Sequence, residues 1–254
     1  MEYKKILAEK KDGVGKITIN NPPVNVVDID VMVEMKDAVD KFAVDNKVKV
    51  IVVTATGDRF FSAGVSIQDH LERPEEMGKC FVGLMVALAE VEKPTLAVVN
   101  GDALGGGLEV VEPCDMVIAS EKAKFGQPEI KLGATAGPAL VFLPRLIGRA
   151  KAFELLYGGE NFSAQEMERL GFVNQIAPPD KLEELTGQFL AKFLDKSVMA
   201  LSYTKRAMLR DQGLDIRKAL IVTGDIGEMA TESEDGKEGL SSFLEKRKPT
   251  WKYG

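Results

Sequence analysis

Two kinds of hydrophobic pattern alternate along the first 150 residues of the chain. Short runs of apolar and β-branched residues, typical of strands, are separated by longer segments whose apolar positions recur at helical spacing. The strand-like runs are residues 16–20, 48–54, 95–100 and 115–119. The helical segments are residues 28–44, with Asp28 or Asp30 as the N-cap, and residues 74–92. Strands that alternate with helices predict an α/β architecture.

The pattern becomes helical in the second half of the chain. Ser163 and Glu166 stand at the spacing of a capping box, which opens a helix that should end near Gly171. A Pro-Pro-Asp sequence then starts a predicted helix over residues 178–196. Further predicted helices cover residues 197–210, 215–229 and 236–246. The sequence therefore predicts an α/β core that is followed by a helical C-terminal region.

Composition restricts the kinds of partner that this protein can have. The chain has 254 residues and is 45% hydrophobic, which is enough to bury one large core, with or without an appended helical part. Its net charge of −6 argues against a nucleic acid as the main partner. An anionic small ligand stays compatible with this charge, because a local basic patch can hold phosphate groups.

Cysteine usage and the terminal segments indicate no metal site and no membrane anchor. Cys80 and Cys114 form neither a CxxC pair nor a cysteine–histidine cluster, and Cys114 is interpreted as a buried core thiol. The N-terminus lacks the apolar core of a signal peptide, and no apolar run approaches the length of a membrane span. We expect a cytoplasmic protein that binds no metal and no membrane.

The candidate chemistry lies in two small-residue segments and two glutamates. Gly105, Gly106 and Gly107 precede Glu109, and Glu129 follows twenty residues later. Neither a GxGxxG fingerprint nor a P-loop is present, so these glycines do not indicate a nucleotide site. Paired carboxyl groups beside bare backbone N–H groups can carry out acid–base chemistry on a polarised carbonyl. Tight packing of a helix on a sheet, without any ligand, is the alternative for the glycine run.

A second small-residue segment, residues 61–66, follows the predicted strand at residues 48–54. One N–H group from this segment and one from the glycine run would form an oxyanion hole with two donors. An ordinary loop between a strand and a helix is the alternative interpretation of this segment.

Four segments in collinear order resemble the crotonase (enoyl-CoA hydratase/isomerase) superfamily. They are residues 60–67, 93–109, 124–133 and 243–249, so the resemblance extends over essentially the whole chain. It implies a spiral core of ββα turns in residues 1–195 and a helical oligomerisation region in residues 196–254. It also implies an acyl-CoA thioester as substrate, no separate cofactor, and a homotrimer or a dimer of trimers.

The resemblance assigns roles to individual residues. Glu109 and Glu129 would be the catalytic pair, with Glu109 mainly holding water and Glu129 mainly delivering a proton. The N–H groups of Val65 and Gly106 would form the oxyanion hole. The CoA-binding positions would be Ala63, Ser66, Ile67 and Gln68, together with Phe243 and Lys246, which match positions that reach the CoA of a neighbouring subunit. Because both acids are present, a hydratase is favoured over an isomerase, which can operate with the later carboxylate alone.

Departures from the common hydratase pattern bear on the acyl group. Leu140, Val141 and Phe142 make the segment after Glu129 unusually apolar, which indicates either a repacked core or a reshaped acyl pocket. Residues 62–70 also resemble the cyclic dienoyl-CoA hydratases of anaerobic aromatic degradation. The predicted substrate is therefore cyclohexa-1,5-diene-1-carbonyl-CoA. The alternatives are a general short-chain enoyl-CoA hydratase of fatty acid metabolism, a Δ3,Δ2-enoyl-CoA isomerase and a non-catalytic acyl-CoA-binding protein.

Two further residues are ambiguous from the sequence. His70 is the only histidine, and it is interpreted as a surface or helix-end residue, with a place near the pocket mouth as the alternative. Glu112 lies one helical turn after Glu109, where it is either a structural partner or a third acid.

Overall fold

The structure is a computed structural model that describes residues 3–252. The strands are β1 (Ile6–Lys11), β2 (Val14–Ile19), β3 (Val50–Ala55), β4 (Phe60–Ser62), β5 (Thr95–Val99), β6 (Asp102–Leu104), β7 (Met116–Ser120), β8 (Lys124–Gly126), β9 (Asn161–Ser163) and β10 (Gln175–Ala177). The helices are α1 (Ile29–Val44), α2 (Ile67–Glu72), α3 (Pro74–Glu90), α4 (Gly106–Val111), α5 (Ala139–Leu146), α6 (Arg149–Gly158), α7 (Ala164–Arg169), α8 (Leu182–Leu194), α9 (Val198–Arg210), α10 (Ile216–Glu232) and α11 (Glu234–Leu244). Two 3-10 helices cover Pro128–Leu132 and Pro179–Lys181.

A six-stranded sheet in the order β1-β2-β3-β5-β7-β10 forms one layer of the described residues 3–252. Strands β1 and β2 are antiparallel, and every later neighbour pair is parallel. All residues of β3 and β5 are buried, which confirms the sequence-based prediction of strands covered on both faces. Ile51 and Val53 face the main core, whereas Val50 and Val52 face a smaller core that α8 closes.

A second sheet of four short strands, in the order β4-β6-β8-β9, stands beside the first among the described residues. Strands β4, β6 and β8 are parallel, and β9 runs antiparallel to β8. Each parallel strand of this sheet follows a strand of the first sheet, so the chain repeats a strand–strand–helix unit. This repeat confirms the predicted α/β spiral of ββα turns. These strands are not predicted from the sequence, because three residues are too few to show a period of two.

Capping residues explain where several helices begin. Asp28 rather than Asp30 is the N-cap of α1, and its side chain accepts a hydrogen bond from Val31 N at 2.9 Å. Ser163 caps α7 by accepting from Glu166 N at 3.2 Å, as the capping box predicts. Ser233 caps α11, which therefore begins before the predicted start at residue 236. The predicted helix over residues 178–196 begins instead with a 3-10 turn and becomes α8.

The helices after residue 195 pack on one another. Helix α9 contacts α10 and α11, and α10 contacts α11, whereas α8 lies against the first sheet. Lys205 of α9 ties this region to the core through an ion pair with Asp115, at 2.8 Å between Nζ and Oδ2. Within residues 3–252, no helix combines the length and the apolar character that crossing a bilayer requires.

Candidate active site

The strand ends of the second sheet bring the two small-residue segments together. Strands β4 and β6 are parallel neighbours, so the residues that follow Ser62 and Leu104 lie at the same edge of the sheet. The segment after β4 is anchored by two backbone hydrogen bonds, from Val27 N to Gly64 O at 2.9 Å and from Ser66 N to Val27 O at 3.3 Å. This anchoring uses the groups on either side of Val65 and leaves the Val65 N–H unused.

The amides of Val65 and Gly106 are close to each other and available. A Cβ atom placed on Gly106 would lie 3.2 Å from Val65 N and 2.2 Å from Val65 Cγ1, so only glycine allows this approach. Within the described residues 3–252, neither N–H group donates a hydrogen bond. Two unpaired amide donors at one point form the arrangement that stabilises a developing oxyanion.

Steric constraints also explain why glycine occupies the neighbouring positions, Gly105 and Gly107. Gly105 has φ of 52° and is the N-cap of α4, and a Cβ there would lie 2.6 Å from Glu129 Oε1. A Cβ on Gly107 would lie 2.6 Å from both Ser62 Cβ and Ser62 O. The structure therefore supports both interpretations of the glycine run, tight packing and close approach of polar groups. The run packs α4 tightly against β4, and it admits a carboxylate and an amide to the same space.

Glu109 projects from α4 and is almost completely buried, with 3% of its surface exposed. Its Oε1 accepts a hydrogen bond from Ala139 N, the first residue of α5, at 3.1 Å. Burial raises the pKa of Glu109 to about 7, and the charge of Glu129 adds to this rise while the Ala139 N–H opposes it. A carboxyl group with this pKa can exchange a proton at neutral pH.

Glu129 enters the same space from the 3-10 helix that follows β8. It is half-buried, and its Oε2 is buried with no hydrogen-bond partner in the part of the chain that the structure describes. Burial raises the pKa of this carboxyl above its ordinary value. The structure therefore places Glu109, Glu129 and the amides of Val65 and Gly106 in one region, and their catalytic and oxyanion-hole roles stay predictions.

The predicted CoA-binding residues lie in two separate places. Ala63, Ile67 and Gln68 are exposed around the start of α2, next to Val65. Ser66 is the N-cap of α2, and its hydroxyl accepts from Asp69 N at 3.0 Å, so this side chain has a structural task. Phe243 and Lys246 lie at the end of α11 and just beyond it, with Phe243 82% exposed. Their predicted contact with the CoA of a neighbouring subunit stays a prediction.

The predicted acyl-pocket residues lie in the first turn of α5, directly after the amide that holds Glu109. Leu140 and Val141 are half exposed, and Phe142 is partly buried. They are not part of the buried core, unlike their neighbours Ala139 and Leu143. Their position next to the Glu109 anchor keeps them as candidates for contact with an acyl group.

The structure also shows the positions of Cys114 and His70, two other residues discussed from the sequence. Cys114 is buried, as predicted, and burial raises the pKa of its thiol to about 12, so it is not a nucleophile. His70 is exposed on α2. Two contributors to the site were not predicted from the sequence. One is the Ala139 amide, which carries no side-chain signal, and the other is Gln127, whose side chain bonds Glu112 at 3.1 Å behind the two acids.

Comparison with known proteins agrees with the fold. The family model described as enoyl-CoA hydratase/isomerase matches residues 9–254. The chain is 36% identical to the crotonyl-CoA hydratase of Syntrophomonas wolfei, over 98% of each chain. It is 34% identical to a short-chain-enoyl-CoA hydratase of Clostridium acetobutylicum, over 98% of this chain and 97% of that one.

A solved structure shows the same similarity in three dimensions. The enoyl-CoA hydratase of Bacillus anthracis superimposes with a TM-score of 0.92 at 29% identity, covering 99% of this chain and 100% of the other. The family match and the names of these relatives define an enzyme of the hydro-lyase class. The chain belongs to the enoyl-CoA hydratase/isomerase family, which is the crotonase superfamily.

Proposed function

We propose that this enzyme adds water across the α,β double bond of an acyl-CoA thioester. The observation that carries the proposal is the convergence of Glu109 and Glu129 on two free backbone amides, those of Val65 and Gly106. The family and the names of the similar proteins agree with a hydratase. We propose that these protein groups suffice for the reaction, with CoA as part of the substrate and no separate cofactor.

The two amides would receive the thioester oxygen. Attack at the β-carbon moves the electron pair of the double bond toward this oxygen, which becomes an enolate. Fixed N–H donors stabilise that charge, and the loss of one such donor costs about 2.7–4 kcal/mol of barrier in other enzymes. Because the donors belong to the backbone of two packed strand ends, no reorganisation is needed when the charge develops.

The two glutamates would handle the protons of water. Glu109, held by the Ala139 amide, takes a proton from water as the oxygen forms its bond to the β-carbon. Glu129 then gives a proton to the α-carbon as the enolate returns to the thioester. The balance is one water consumed, and the proton on Glu109 returns to Glu129 by exchange between the two neighbouring groups. Each acid–base role is worth about 10²–10⁴ in rate.

We propose cyclohexa-1,5-diene-1-carbonyl-CoA as the particular substrate. Support comes from the resemblance of residues 62–70 to cyclic dienoyl-CoA hydratases and from the apolar side chains of Leu140 and Val141 beside the Glu109 anchor. An apolar ring buries more carbon surface than a short linear acyl chain, and such side chains favour it.

A spectrophotometric screen of crotonyl-CoA against the cyclic dienoyl-CoA, with products identified by mass, tests both levels of the proposal. We expect the gain of one water on the cyclic substrate. Hydration of crotonyl-CoA alone would reject the cyclic substrate and keep the general function. Tight binding of both thioesters without turnover would reject a hydratase and favour an acyl-CoA-binding protein.

The same assay separates hydratase from isomerase. Glu109→Gln should remove hydration while it largely spares double-bond migration, because proton transfer between carbons can use Glu129 alone. Equal loss of both activities would contradict the division of roles between the two acids. A wild-type enzyme that isomerises a 3-enoyl-CoA and hydrates nothing would support the isomerase alternative.

A further inference from the structure

A third carboxyl group, that of Glu112, is buried behind the two acids of the site. Glu112 lies one helical turn after Glu109, at the C-cap of α4, and only 2% of its surface is exposed. Its Oε1 accepts a hydrogen bond from Gln127 Nε2 at 3.1 Å. Gln127 is itself 1% exposed and stands two residues before Glu129. The pair therefore connects the helix of one acid with the segment that carries the other.

The remaining oxygen of each side chain in this pair has no partner. Glu112 Oε2 and Gln127 Oε1 are buried, and neither has a hydrogen bond within residues 3–252. Both atoms are acceptors if Glu112 is ionised, so they can repel each other but cannot bond. A buried acceptor without a donor is destabilising, and more so if it is charged. These two oxygens belong to side chains that are joined by a hydrogen bond, so one cause should account for both.

A single proton on Glu112 would give both of these oxygens a partner through one hydrogen bond. A carboxylic acid and a primary amide can pair through two hydrogen bonds, one in each direction. Gln127 Nε2 already donates to Glu112 Oε1, and a proton on Glu112 Oε2 would be donated to Gln127 Oε1. We propose that Glu112 is a neutral carboxylic acid, paired with Gln127 by two hydrogen bonds, and that this pair positions Glu109 and Glu129 relative to each other.

The charges around Glu112 favour the same state. Glu109 on the same helix and Glu129 from the 3-10 helix after β8 are the titratable groups that act on it, and each repels a charge on Glu112 when it is itself ionised. Burial first and then the charge of Glu109 raise the pKa of Glu112 well above its ordinary value, and the bond from Gln127 opposes this rise only in part. A neutral acid can stand here without adding to the negative charge of the site.

The neutral state has a consequence for the reaction. An ionised Glu112 would make Glu109 harder to ionise, and Glu109 would then hold its proton at neutral pH instead of accepting one from water. A neutral Glu112 supplies a rigid hydrogen-bonded link and leaves the proton affinity of Glu109 to burial and to Glu129. Glu112 is therefore a positioning residue and not a third acid of the reaction.

Infrared spectroscopy of the whole enzyme tests the protonation directly. At about pH 7, where exposed carboxyl groups are ionised, we expect wild type to show carbonyl-stretch intensity from Glu112 as a buried neutral carboxyl group. Glu112→Gln should remove this intensity in the difference spectrum, whereas Glu121→Gln, at an exposed glutamate, should leave it. An unchanged spectrum for Glu112→Gln would overturn the proposal.

Steady-state kinetics tests the positioning role. A glutamine at residue 112 can form the same two hydrogen bonds with Gln127, so Glu112→Gln should keep kcat within about twofold and leave the acid limb of the pH profile in place. Glu112→Leu removes the pair and should lower kcat by about 10-fold to 100-fold with little change in KM, because misplaced acids slow the chemical step. A shift of the acid limb toward lower pH in Glu112→Gln would show that a charge had been removed, and wild-type kcat in Glu112→Leu would show that the pair positions nothing.

The kinetic test rests on the proposed function, and the infrared test does not. An enzyme that hydrates no enoyl-CoA but loses the carbonyl band in Glu112→Gln would reject the proposed function and keep the neutral acid. Normal hydration of an enoyl-CoA, with no carbonyl band lost in Glu112→Gln, would keep the proposed function and reject the neutral acid. If Glu112→Leu does not fold, Gln127→Leu breaks the same pair from the other side and should lower kcat in the same way.

Discussion

Burial is the main influence on the charge of Glu109. The side chain accepts one amide hydrogen bond, from Ala139, which favours the ionised form, but the loss of contact with water outweighs it. The pKa of about 7 places the group where it can both accept and release a proton near neutrality. A carboxylate at the surface, with its ordinary pKa, would be a much weaker base toward water.

This pKa predicts the pH dependence of catalysis. Glu109 must be ionised to take a proton from water, so kcat/KM should fall as the pH drops through about 7, where the group becomes protonated. A pH profile on the free enzyme measures this limb. Full activity down to about pH 5 would mean that Glu109 keeps the pKa of an exposed carboxyl and is not the base.

The close approach of Gly106 to Val65 leads to a second prediction at the residue scale. Gly106→Ala puts a methyl group into contact with Val65, which should separate the two amides of the oxyanion hole. We expect kcat to fall by about 10²–10³, since one donor is lost or displaced, while the enzyme stays folded.

A matched glycine provides the control for this substitution. Gly78 lies in α3, where an added Cβ meets nothing within 4 Å, so Gly78→Ala should leave kcat unchanged and slightly favour the helix. Equal kcat in wild type and Gly106→Ala, measured at saturating substrate, would count against the Gly106 amide as an oxyanion donor.

At the scale of elements, buried lysines join helices to the core. Lys93 Nζ donates to Phe42 O at the end of α1, at 2.7 Å, and Lys49 Nζ donates to Leu194 O at the end of α8, at 2.9 Å. Carbonyl groups at helix C-termini lack partners within the helix, and a cation there also favours the helix dipole. These lysines look from sequence like solvated charges, and only the contacts show that they cap helices.

The Lys205–Asp115 ion pair should contribute to the free energy of unfolding by holding α9 against the core. Lys205→Met removes the donor to Asp115 and to Lys93 O at 3.3 Å and leaves both acceptors with fewer bonds. We expect a loss of about 1–3 kcal/mol in the free energy of unfolding, because Asp115 is partly exposed and keeps its bonds from Thr95.

Urea unfolding measures this loss. Lys218→Met is the control, because Lys218 forms an exposed i,i+3 pair with Asp215 in which the side chains are 72% and 54% exposed. Such surface pairs contribute about 0–1 kcal/mol. If the two variants unfold at the same urea concentration, the Lys205–Asp115 pair does not hold α9 to the core.

At the scale of the whole molecule, the helical region carries apolar side chains that nothing in the described chain covers. Ile216, Leu220 and Ile221 of α10 are between 56% and 75% exposed. Apolar surface that recurs along one helix is typical of an interface between subunits. We propose that this region assembles the enzyme into a homotrimer or a dimer of trimers.

Light scattering after size exclusion measures this assembly. We expect a mass of three or six chains for wild type and a smaller particle for Leu220→Glu, since a carboxylate is costly in an apolar interface. Val44→Glu, at an 80% exposed apolar residue in the last turn of α1, should keep the wild-type mass. A monomeric wild type would reject the assembly, and with it the predicted contact of Phe243 and Lys246 with a neighbouring subunit.

The sequence by itself determined the elements whose signals are local. The runs of β-branched residues in β3, β5 and β7 follow from burial on both faces, and Asp28 and Ser163 start their helices because their side chains bond nearby amides. Four collinear segments also determined the family, including Glu109 and Glu129.

Only the tertiary structure decided how distant groups act on one another. The second sheet is built from strands of three residues, too short for a pattern, and their pairing brings Val65 beside Gly106. The hold of Ala139 on Glu109 uses a backbone amide 30 residues away, and the pairing of Glu112 with Gln127 spans 15 residues. Hydrogen bonds and burial of this kind depend on which segments lie next to each other in the fold. A linear pattern of residue types does not contain that information.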